Sequence, residues 1–241
     1  MSSAPAGVSS TFWSLVTAEP LGELTVLDVG TGGGRVALAL APHARQIVAV
    51  DRDADAIDEA RRRAAAAGLV NVECVVGDVE TSEYTAFGPD LVTAHLCMSD
   101  AIVERAARAL ATGRVLAFVA FHTDQWRETG RPSRFAYDEA RARRVLAAAG
   151  FAIEHLEVEQ EVQQFGSVEQ ALAAAIGLAE RWKADGRWFH YVRFLEEVQR
   201  SSGAVRLPAG VDPASYPRYG SAEEMTRACH DGGAPPDPPS G

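Results

Sequence analysis

Hydrophobic and polar positions follow two different periods along this chain. Short apolar runs recur from Thr25 onward, and longer stretches between them bring an apolar residue back every three or four positions. The short runs are typical of strands buried on both faces of a sheet, and the longer stretches of amphipathic helices. The predicted strands are Thr25–Val29, Gln46–Asp51, Val70–Val79, Asp90–Cys97, Arg114–His122 and Phe151–Phe165. The predicted helices between them are Arg35–His43, Asp55–Ala67, Ser99–Ala111 and Ser133–Ala149.

This alternation of strands with helices of crossover length predicts an α/β fold, doubly wound and Rossmann-like, with a mostly parallel sheet. A further helical segment, 167–200, begins at Ser167 with the spacing of a capping box. Its aromatic part, Trp182–Phe194, either packs on the sheet or covers a substrate pocket. We favour packing.

Composition sets the boundaries of the domain. Residues 1–10 are small and polar, which predicts a flexible arm, and residues 11–200 form one domain that includes the helical segment. The remaining stretch, 201–241, carries seven of the 12 prolines and is predicted to be a largely disordered tail.

Charge narrows the choice of partners and compartment. With 33 acidic and 23 basic residues, the formal net charge is −10, so we expect no DNA partner and consider RNA a poor fit. The basic clusters Arg61–Arg63 and Arg141–Arg144 are interleaved with acids and alanines, as on a solvated helix face. No apolar run approaches the ~20 residues that span a bilayer, and the first residues lack the features of a signal peptide. The sequence therefore predicts a cytoplasmic protein without a membrane partner.

A glycine-rich turn carries the strongest chemical signal. It joins the first predicted strand to the first crossover helix in the sequence VLDVGTGGGR, which places glycine at positions 30, 32 and 34 and an acid at Asp28. Glycines allow a ligand to approach the backbone closely, although such a turn also occurs without a ligand. The spacing is not that of a dinucleotide site, because Arg35 stands where the third glycine of that fingerprint belongs.

Two more acids follow the next two strands. Asp51 ends the second predicted strand, and Asp78 follows Gly77 at the end of the third. An acid after the second strand can accept both hydroxyls of a ribose, and ligands of open α/β sheets bind at the carboxyl ends of the strands. Each acid alone could equally be a solvated strand end. The aligned set of three is better explained by a common ligand-binding crevice.

The motif Asp28-x-Gly30-x-Gly32-x-Gly34, with Asp51 and the pair Gly77–Asp78, resembles that of the class I S-adenosylmethionine (AdoMet)-dependent methyltransferases over roughly residues 10–165. The resemblance implies the methyltransferase form of the Rossmann-like sheet, with AdoMet bound over strands one to three. It implies that Asp28 lies near the methionine amino group, that Asp51 holds the ribose, and that Asp78 and Val79 frame the adenine. The cofactor-binding positions predicted on this basis are Asp28, Gly30, Thr31, Gly32, Gly34, Asp51, Arg52, Asp78, Val79 and His95.

The sequence departs from the family at the end of the sheet. The family closes its sheet with two antiparallel strands, and only Ala204–Leu207 offers itself for the last one before Pro208. We therefore expect the last strand to be short, displaced or missing.

Methyl transfer needs a nucleophile held in line with the methyl group, and a general base helps where the nucleophile carries a proton. The predicted bases are His95, after the fourth strand, and His122, after the fifth. Each could instead be a histidine of the pocket wall or of a strand end. Ser99 and Asp100 are better explained as helix-capping residues.

The motifs of nucleobase amine methyltransferases, of pyrimidine-C5 enzymes and of metal-dependent catechol-type enzymes are not evident, so no metal is predicted. The sequence therefore predicts an AdoMet-dependent enzyme that methylates an oxygen or nitrogen of a small molecule. The alternatives are an RNA or protein methyltransferase and a non-catalytic AdoMet-binding protein.

Overall fold

A computed structural model describes residues 3–125, 129, 135–165, 167–176, 179–202, 205–209 and 222–230. Its strands are β1 Thr25–Val29, β2 Gln46–Asp51, β3 Val72–Val76, β4 Leu91–His95, β5 Val115–His122, β6 Ala136–Tyr137, β7 Phe151–Phe165, β8 Val205–Ala209 and β9 Ala222–His230. Its α-helices are α1 Ser10–Thr17, α2 Arg35–Leu40, α3 Ala54–Ala66, α4 Asp100–Ala109, α5 Glu139–Ala148, α6 Val168–Ala174, α7 Ala179–Ala184 and α8 Arg187–Ser202. The chain divides into two compact units, the first comprising Met1–Val119, Glu139–Leu156 and Met225–Gly241, the second Ala120–Asp138 and Glu157–Glu224.

The first unit is built on a parallel sheet in which β1 occupies the middle. β1 pairs in parallel with β2 on one side and with β4 on the other, and β3 and β5 extend the sheet outward. The strand order in this unit is β3-β2-β1-β4-β5-β9-β7. Because the first five strands are parallel, their carboxyl ends lie at one edge, where α/β proteins bind ligands. The predicted parallel, doubly wound architecture is confirmed.

Most predicted elements are confirmed within a few residues. β1, β2 and β7 have the predicted limits. The helices α2 and α4 are shorter than predicted by one to three residues at one or both ends, and α3 has the predicted length but begins and ends one residue earlier. The fourth crossover helix differs more, because α5 begins at Glu139 and β6 occupies part of the predicted helix. Ser133, where that helix was predicted to begin, lies outside the described residues.

The hydrophobic core of the first unit joins α1 and α2 to the sheet. Phe12, Trp13 and Val16 from α1 are buried in the same cluster as Val26 from β1 and Leu91 from β4. These side chains recur at helical spacing on one face of α1, so a helix of only eight residues is held by packing rather than by its own propensity.

The segment before α1 makes contacts within the first unit. Val8 is buried in the core, and its backbone N–H donates to the carbonyl of Pro5 at 3.0 Å. A guanidinium N–H of Arg35 donates to the carbonyl of Gly7 at 3.2 Å. One apolar anchor and these hydrogen bonds fix a stretch whose composition alone indicates no order.

The second unit has its own hydrophobic cluster. Trp182 and Tyr191 are fully buried there, with ring centroids 5.4 Å apart in an edge-to-face arrangement. Ser167 caps α6 as predicted, its hydroxyl accepting from the N–H of Gln170 at 3.3 Å. The aromatic segment therefore contributes to packing within this unit.

Two strands lie in the stretch predicted to be a disordered tail. β8 pairs antiparallel with the far end of β7, Phe165 opposite Val205, and β9 takes the place between β5 and β7. The candidate last strand at Ala204–Leu207 thus corresponds to β8, whereas the strand inside the sheet is β9. The sequence of β9, AEEMTRACH, gave no strand signal because polar residues fill it without a period of two.

In the part of the chain that the structure describes, no helix is long and apolar enough to cross a membrane.

Candidate functional site

The glycine turn between β1 and α2 is held tightly to its neighbours. The N–H groups of Gly30 and Thr31 both donate to the carbonyl of Val50, at 2.9 and 3.1 Å. Gly30 has a φ of +69°, and a Cβ at this position would overlap the side chain of Cys97. The turn therefore requires glycine both for its backbone conformation and for the close approach of the segment after β4. Burial, followed by the nearby Asp51 and Asp28, raises the pKa of the Cys97 thiol to about 11, so it remains protonated.

Asp28, near the end of β1, is buried and accepts hydrogen bonds from two hydroxyls. Thr31 donates to one carboxylate oxygen at 2.6 Å, and Thr93 from β4 donates to the other at 2.8 Å. Burial raises the pKa of Asp28 to about 6, although both hydrogen bonds oppose that rise. A buried carboxylate with a raised pKa gains stabilisation from a cation placed beside it.

Asp51, at the end of β2, faces the glycine turn. One carboxylate oxygen accepts from the N–H of Gly32 at 2.8 Å, and the other accepts from the N–H of Asp53 at 3.0 Å. Each oxygen of a carboxylate has room for a second donor. The side chain is partly exposed, so Asp51 can accept two further hydrogen bonds from a ligand. The adjacent Arg52, predicted as a cofactor-binding position, is exposed.

The loop after β3 carries the third acid. Asp78 is exposed, and one of its carboxylate oxygens accepts from the N–H of Glu80 at 2.9 Å. Val79 is buried, and its carbonyl accepts from the hydroxyl of Tyr84 at 2.7 Å. An exposed acid beside a buried apolar side chain offers a hydrogen-bond acceptor next to a nonpolar surface.

Two arginines bind the backbone of these loops through hydrogen bonds. Arg105 of α4 donates to the carbonyls of Glu80 and Ser82, at 2.6 and 2.9 Å, and pairs with Glu83 at 2.9 Å. Arg63 of α3 donates to the carbonyl of Gly33 in the glycine turn at 2.6 Å. Both contacts span more than 20 residues of sequence, so no local pattern could have revealed them.

His95, predicted as a cofactor contact and as a base, belongs to the first unit. Its Nε2 accepts from the backbone N–H of Ser9 at 3.4 Å, and its ring meets that of Phe12 edge-on with centroids 5.5 Å apart. Burial and then the charge of Arg35 lower the pKa of His95 to about 3. The ring is therefore neutral at physiological pH. The next residue, Leu96, has a φ of +59°, a strained conformation of the kind found near functional sites.

His122, the other predicted base, lies in the second unit. Its Nδ1 accepts from the backbone N–H of Asp124 at 3.1 Å, and the carboxylate of Asp124 lies 3.7 Å from the same nitrogen. In the neutral ring the proton is therefore on Nε2. Its role as a base stays a prediction.

Two further polar residues, Ser99 and Asp100, follow β4. Asp100 pairs with Arg141 at 2.9 Å, and Ser99 occupies the N-cap position of α4. The hydroxyl of Ser99 makes no capping hydrogen bond. In the basic cluster of α3, Arg61 pairs with Asp58 at 2.8 Å and Arg62 with Glu59 at 2.7 Å. These pairs leave α3 without a concentrated positive surface.

Most residues of this site lie in a stretch that matches a known protein-family model. Residues 26–113 match the family model described as a methyltransferase domain. This part of the chain is therefore similar to methyltransferase domains. The glycine turn, Asp28, Asp51, Asp78 and His95 all lie inside the matched range, whereas His122 and the helices α6–α8 lie outside it.

One curated relative shares a short stretch of sequence with this chain. A protein-L-isoaspartate O-methyltransferase of Methanoculleus marisnigri is 47% identical over 53 residues, which is 22% of this chain and 24% of that protein. The match thus spans about a quarter of the length of this curated relative.

Two solved structures share the fold over most of the chain. The YcgJ protein of Bacillus subtilis has a TM-score of 0.69 and 16% identity, covering 93% of this chain and 100% of its own. Magnesium protoporphyrin IX methyltransferase of Synechocystis PCC 6803, solved with bound SAH, has a TM-score of 0.57 and 15% identity, covering 92% and 80%. At these identities the likeness concerns the fold.

Proposed function

We propose that this protein is an AdoMet-dependent methyltransferase that methylates an oxygen or nitrogen atom of a small molecule. The observation that carries the proposal is the placement of three carboxylates, Asp28, Asp51 and Asp78, at the ends of three neighbouring parallel strands around the glycine turn. AdoMet bears a sulfonium and an ammonium, so acids stabilise it where a nucleoside triphosphate would need basic groups.

The described residues fit the cofactor. Asp51 has one free acceptor position on each carboxylate oxygen, which matches the two neighbouring hydroxyls of a ribose. Asp28 is buried with a raised pKa and would be stabilised by the ammonium group. Asp78 and Val79 provide an acceptor and an apolar surface for the adenine. Thr31 supports this arrangement through its hydrogen bond to Asp28.

When bound, AdoMet supplies a methyl group already activated by the adjacent positive sulfur. The chain then has to hold the acceptor in line and keep water away, and proximity alone can provide much of the rate. A proton acceptor near pH 7 works best with a pKa near that value. His95, with a pKa of about 3, is therefore a weak base, and we assign it to the wall of the site. His122 is the remaining candidate, in the other neutral tautomer, because the proton on Nε2 must first move to Nδ1 before Nε2 can accept one.

A small-molecule acceptor agrees with the charges. The arginines of α3 are paired within the chain, and the net charge is −10. A protein that neutralises nucleic-acid phosphates needs several unpaired basic groups. RNA is therefore the less favoured substrate class.

Calorimetric titration with AdoMet and S-adenosylhomocysteine tests the cofactor. Loss of one charged hydrogen-bond acceptor costs about 1.5–3 kcal/mol, so Asp51→Asn should weaken binding by one to two orders of magnitude. Glu73→Gln, on the exposed surface of β3, removes the same charge and should leave binding unchanged. Absence of binding by the wild-type chain at millimolar ligand would overturn the proposal.

Transfer of a labelled methyl group to a metabolite library tests catalysis and the acceptor class. A protein carboxyl group is a second candidate acceptor, because the Methanoculleus relative is named as a protein-L-isoaspartate O-methyltransferase. A synthetic peptide with one isoaspartyl residue, compared with the same peptide carrying aspartate, separates the two. Methylation of the isoaspartyl peptide alone would favour the second candidate. Binding of AdoMet without transfer to any acceptor would favour a non-catalytic role.

A further inference from the structure

The turn that follows β5 contains a buried side chain with unused hydrogen-bonding groups. Gln125 is 2% exposed, and neither Oε1 nor Nε2 of its carboxamide has a hydrogen-bond partner in the structure. Its backbone N–H donates to the carbonyl of His122 at 3.0 Å, and the N–H of Thr123 donates to the carbonyl of Tyr137 in β6 at 3.0 Å. The turn is thus fixed by its backbone while the side chain of Gln125 is unpaired.

Such an arrangement is costly. A carboxamide offers one oxygen acceptor and two N–H donors, and burying them without partners removes their hydration without replacing it. Nearly all buried polar groups in native proteins are paired, and the exceptions call for an explanation such as a bound molecule. Methionine has a similar length and would fill the same space without this penalty.

We propose that Gln125 binds a neutral ligand that carries a hydrogen-bond donor and an acceptor on adjacent atoms, as an amide or lactam does. The Oε1 accepts from the N–H of the ligand while the Nε2 donates to its carbonyl, so both idle groups are satisfied at once. An anion would satisfy only the Nε2 and would leave the Oε1 facing negative charge.

His122 strengthens the preference for a neutral ligand with a carbonyl. Its Nδ1 is engaged by the N–H of Asp124, so the neutral ring presents an N–H at Nε2. Its side chain is 15% exposed. The same short turn therefore carries two side-chain N–H donors, on His122 and Gln125, and one acceptor, the Oε1 of Gln125. The inference concerns the second unit alone and does not depend on the proposed function.

Binding of 2-pyridone, a lactam with adjacent N–H and carbonyl groups, tests the proposal without AdoMet. The experiment is a titration followed by protein NMR, with N-methyl-2-pyridone and benzoate as comparison ligands. We expect saturable millimolar binding of 2-pyridone and at least tenfold weaker binding of the other two. In Gln125→Met the affinity for 2-pyridone should fall at least tenfold, whereas Gln46→Met, a matched change on an exposed residue, should have no effect.

The thermal stability of the unliganded protein gives a second readout. Because Gln125→Met removes unpaired polar groups, its melting temperature should equal or exceed that of the wild type, the opposite of the usual effect of a core substitution. Absence of 2-pyridone binding to the wild type, or equal affinity in Gln125→Met, would overturn the proposal. Equal binding of 2-pyridone and N-methyl-2-pyridone by the wild type would do so without any variant. Failure of AdoMet to bind would overturn the proposed function and leave this result intact.

Discussion

The side chain of Cys97 occupies the space that a Cβ at Gly30 would fill. This contact joins the segment after β4 to the glycine turn after β1, and it makes the turn depend on a residue 67 positions away in sequence. Because Gly30 also has a positive φ, two separate penalties oppose any side chain at that position.

We expect Gly30→Ala to lower the free energy of unfolding by about 2–4 kcal/mol, from the sum of backbone strain and steric overlap. Gly32→Ala is the matched control, because Gly32 also has a positive φ but has nothing within 4 Å of its Cβ position. It should lose only the strain, about 1–2 kcal/mol. Urea unfolding measures both. Cys97→Gly should relieve part of the loss in Gly30→Ala and none of the loss in Gly32→Ala; strictly additive effects would contradict the contact.

The depressed pKa of His95 predicts acid sensitivity of the fold. In the folded protein His95 stays neutral down to about pH 3, whereas in the unfolded chain it binds a proton below about pH 6.5. Because the unfolded state binds more protons in this range, acidification favours unfolding. Between pH 7 and pH 5 this group should cost the folded state about 1–2 kcal/mol. Substitution His95→Gln retains an acceptor for the Ser9 N–H and should flatten that part of the curve of stability against pH. An unchanged slope in the variant would assign the acid sensitivity to other groups.

Asp28 predicts a pH dependence of cofactor affinity. With a pKa of about 6 in the free protein, only about a tenth of the molecules carry the carboxylate at pH 5. A bound ammonium favours the charged form, so AdoMet affinity should fall about tenfold from pH 7 to pH 5. Calorimetry at a series of pH values measures this. In Asp28→Asn the affinity should be lower at pH 7 and nearly independent of pH, and a wild-type slope in that variant would exclude Asp28 as its origin.

Arg105 predicts an effect on the adenine side of the site. Its guanidinium bridges two carbonyls and one carboxylate of the loop after β3, which no single shorter cation can reproduce. Arg105→Met should weaken binding of S-adenosylhomocysteine and of adenosine by the same factor, about tenfold, since both carry adenine. Arg108→Met, an exposed arginine one turn later on α4, should change neither. Unequal losses for the two ligands would show that the effect is not confined to the adenine loop.

The parts of the site that the sequence predicts are those determined by local pattern. The strand ends, the glycine turn and the three acids follow from apolar runs and residue spacing, because each lies where a strand becomes a loop. The contacts of Ser9 with His95, of Arg35 with Gly7 and of Arg105 with Glu80 join segments 25 or more residues apart, and no periodicity encodes them. The unpaired amide of Gln125 could not be predicted from the sequence either, because burial depends on the whole fold.

The position of β9 in the sheet differs from its position in the sequence. This strand lies between β5 and β7, although both of those are translated well before it. During synthesis, the edges of β5 and β7 that pair with β9 have no partner until Ala222–His230 has been translated. Such late insertion of a distant segment slows folding and exposes strand edges in the meantime. Until the sheet closes, the facing edges of β5 and β7 are open to pairing with another chain.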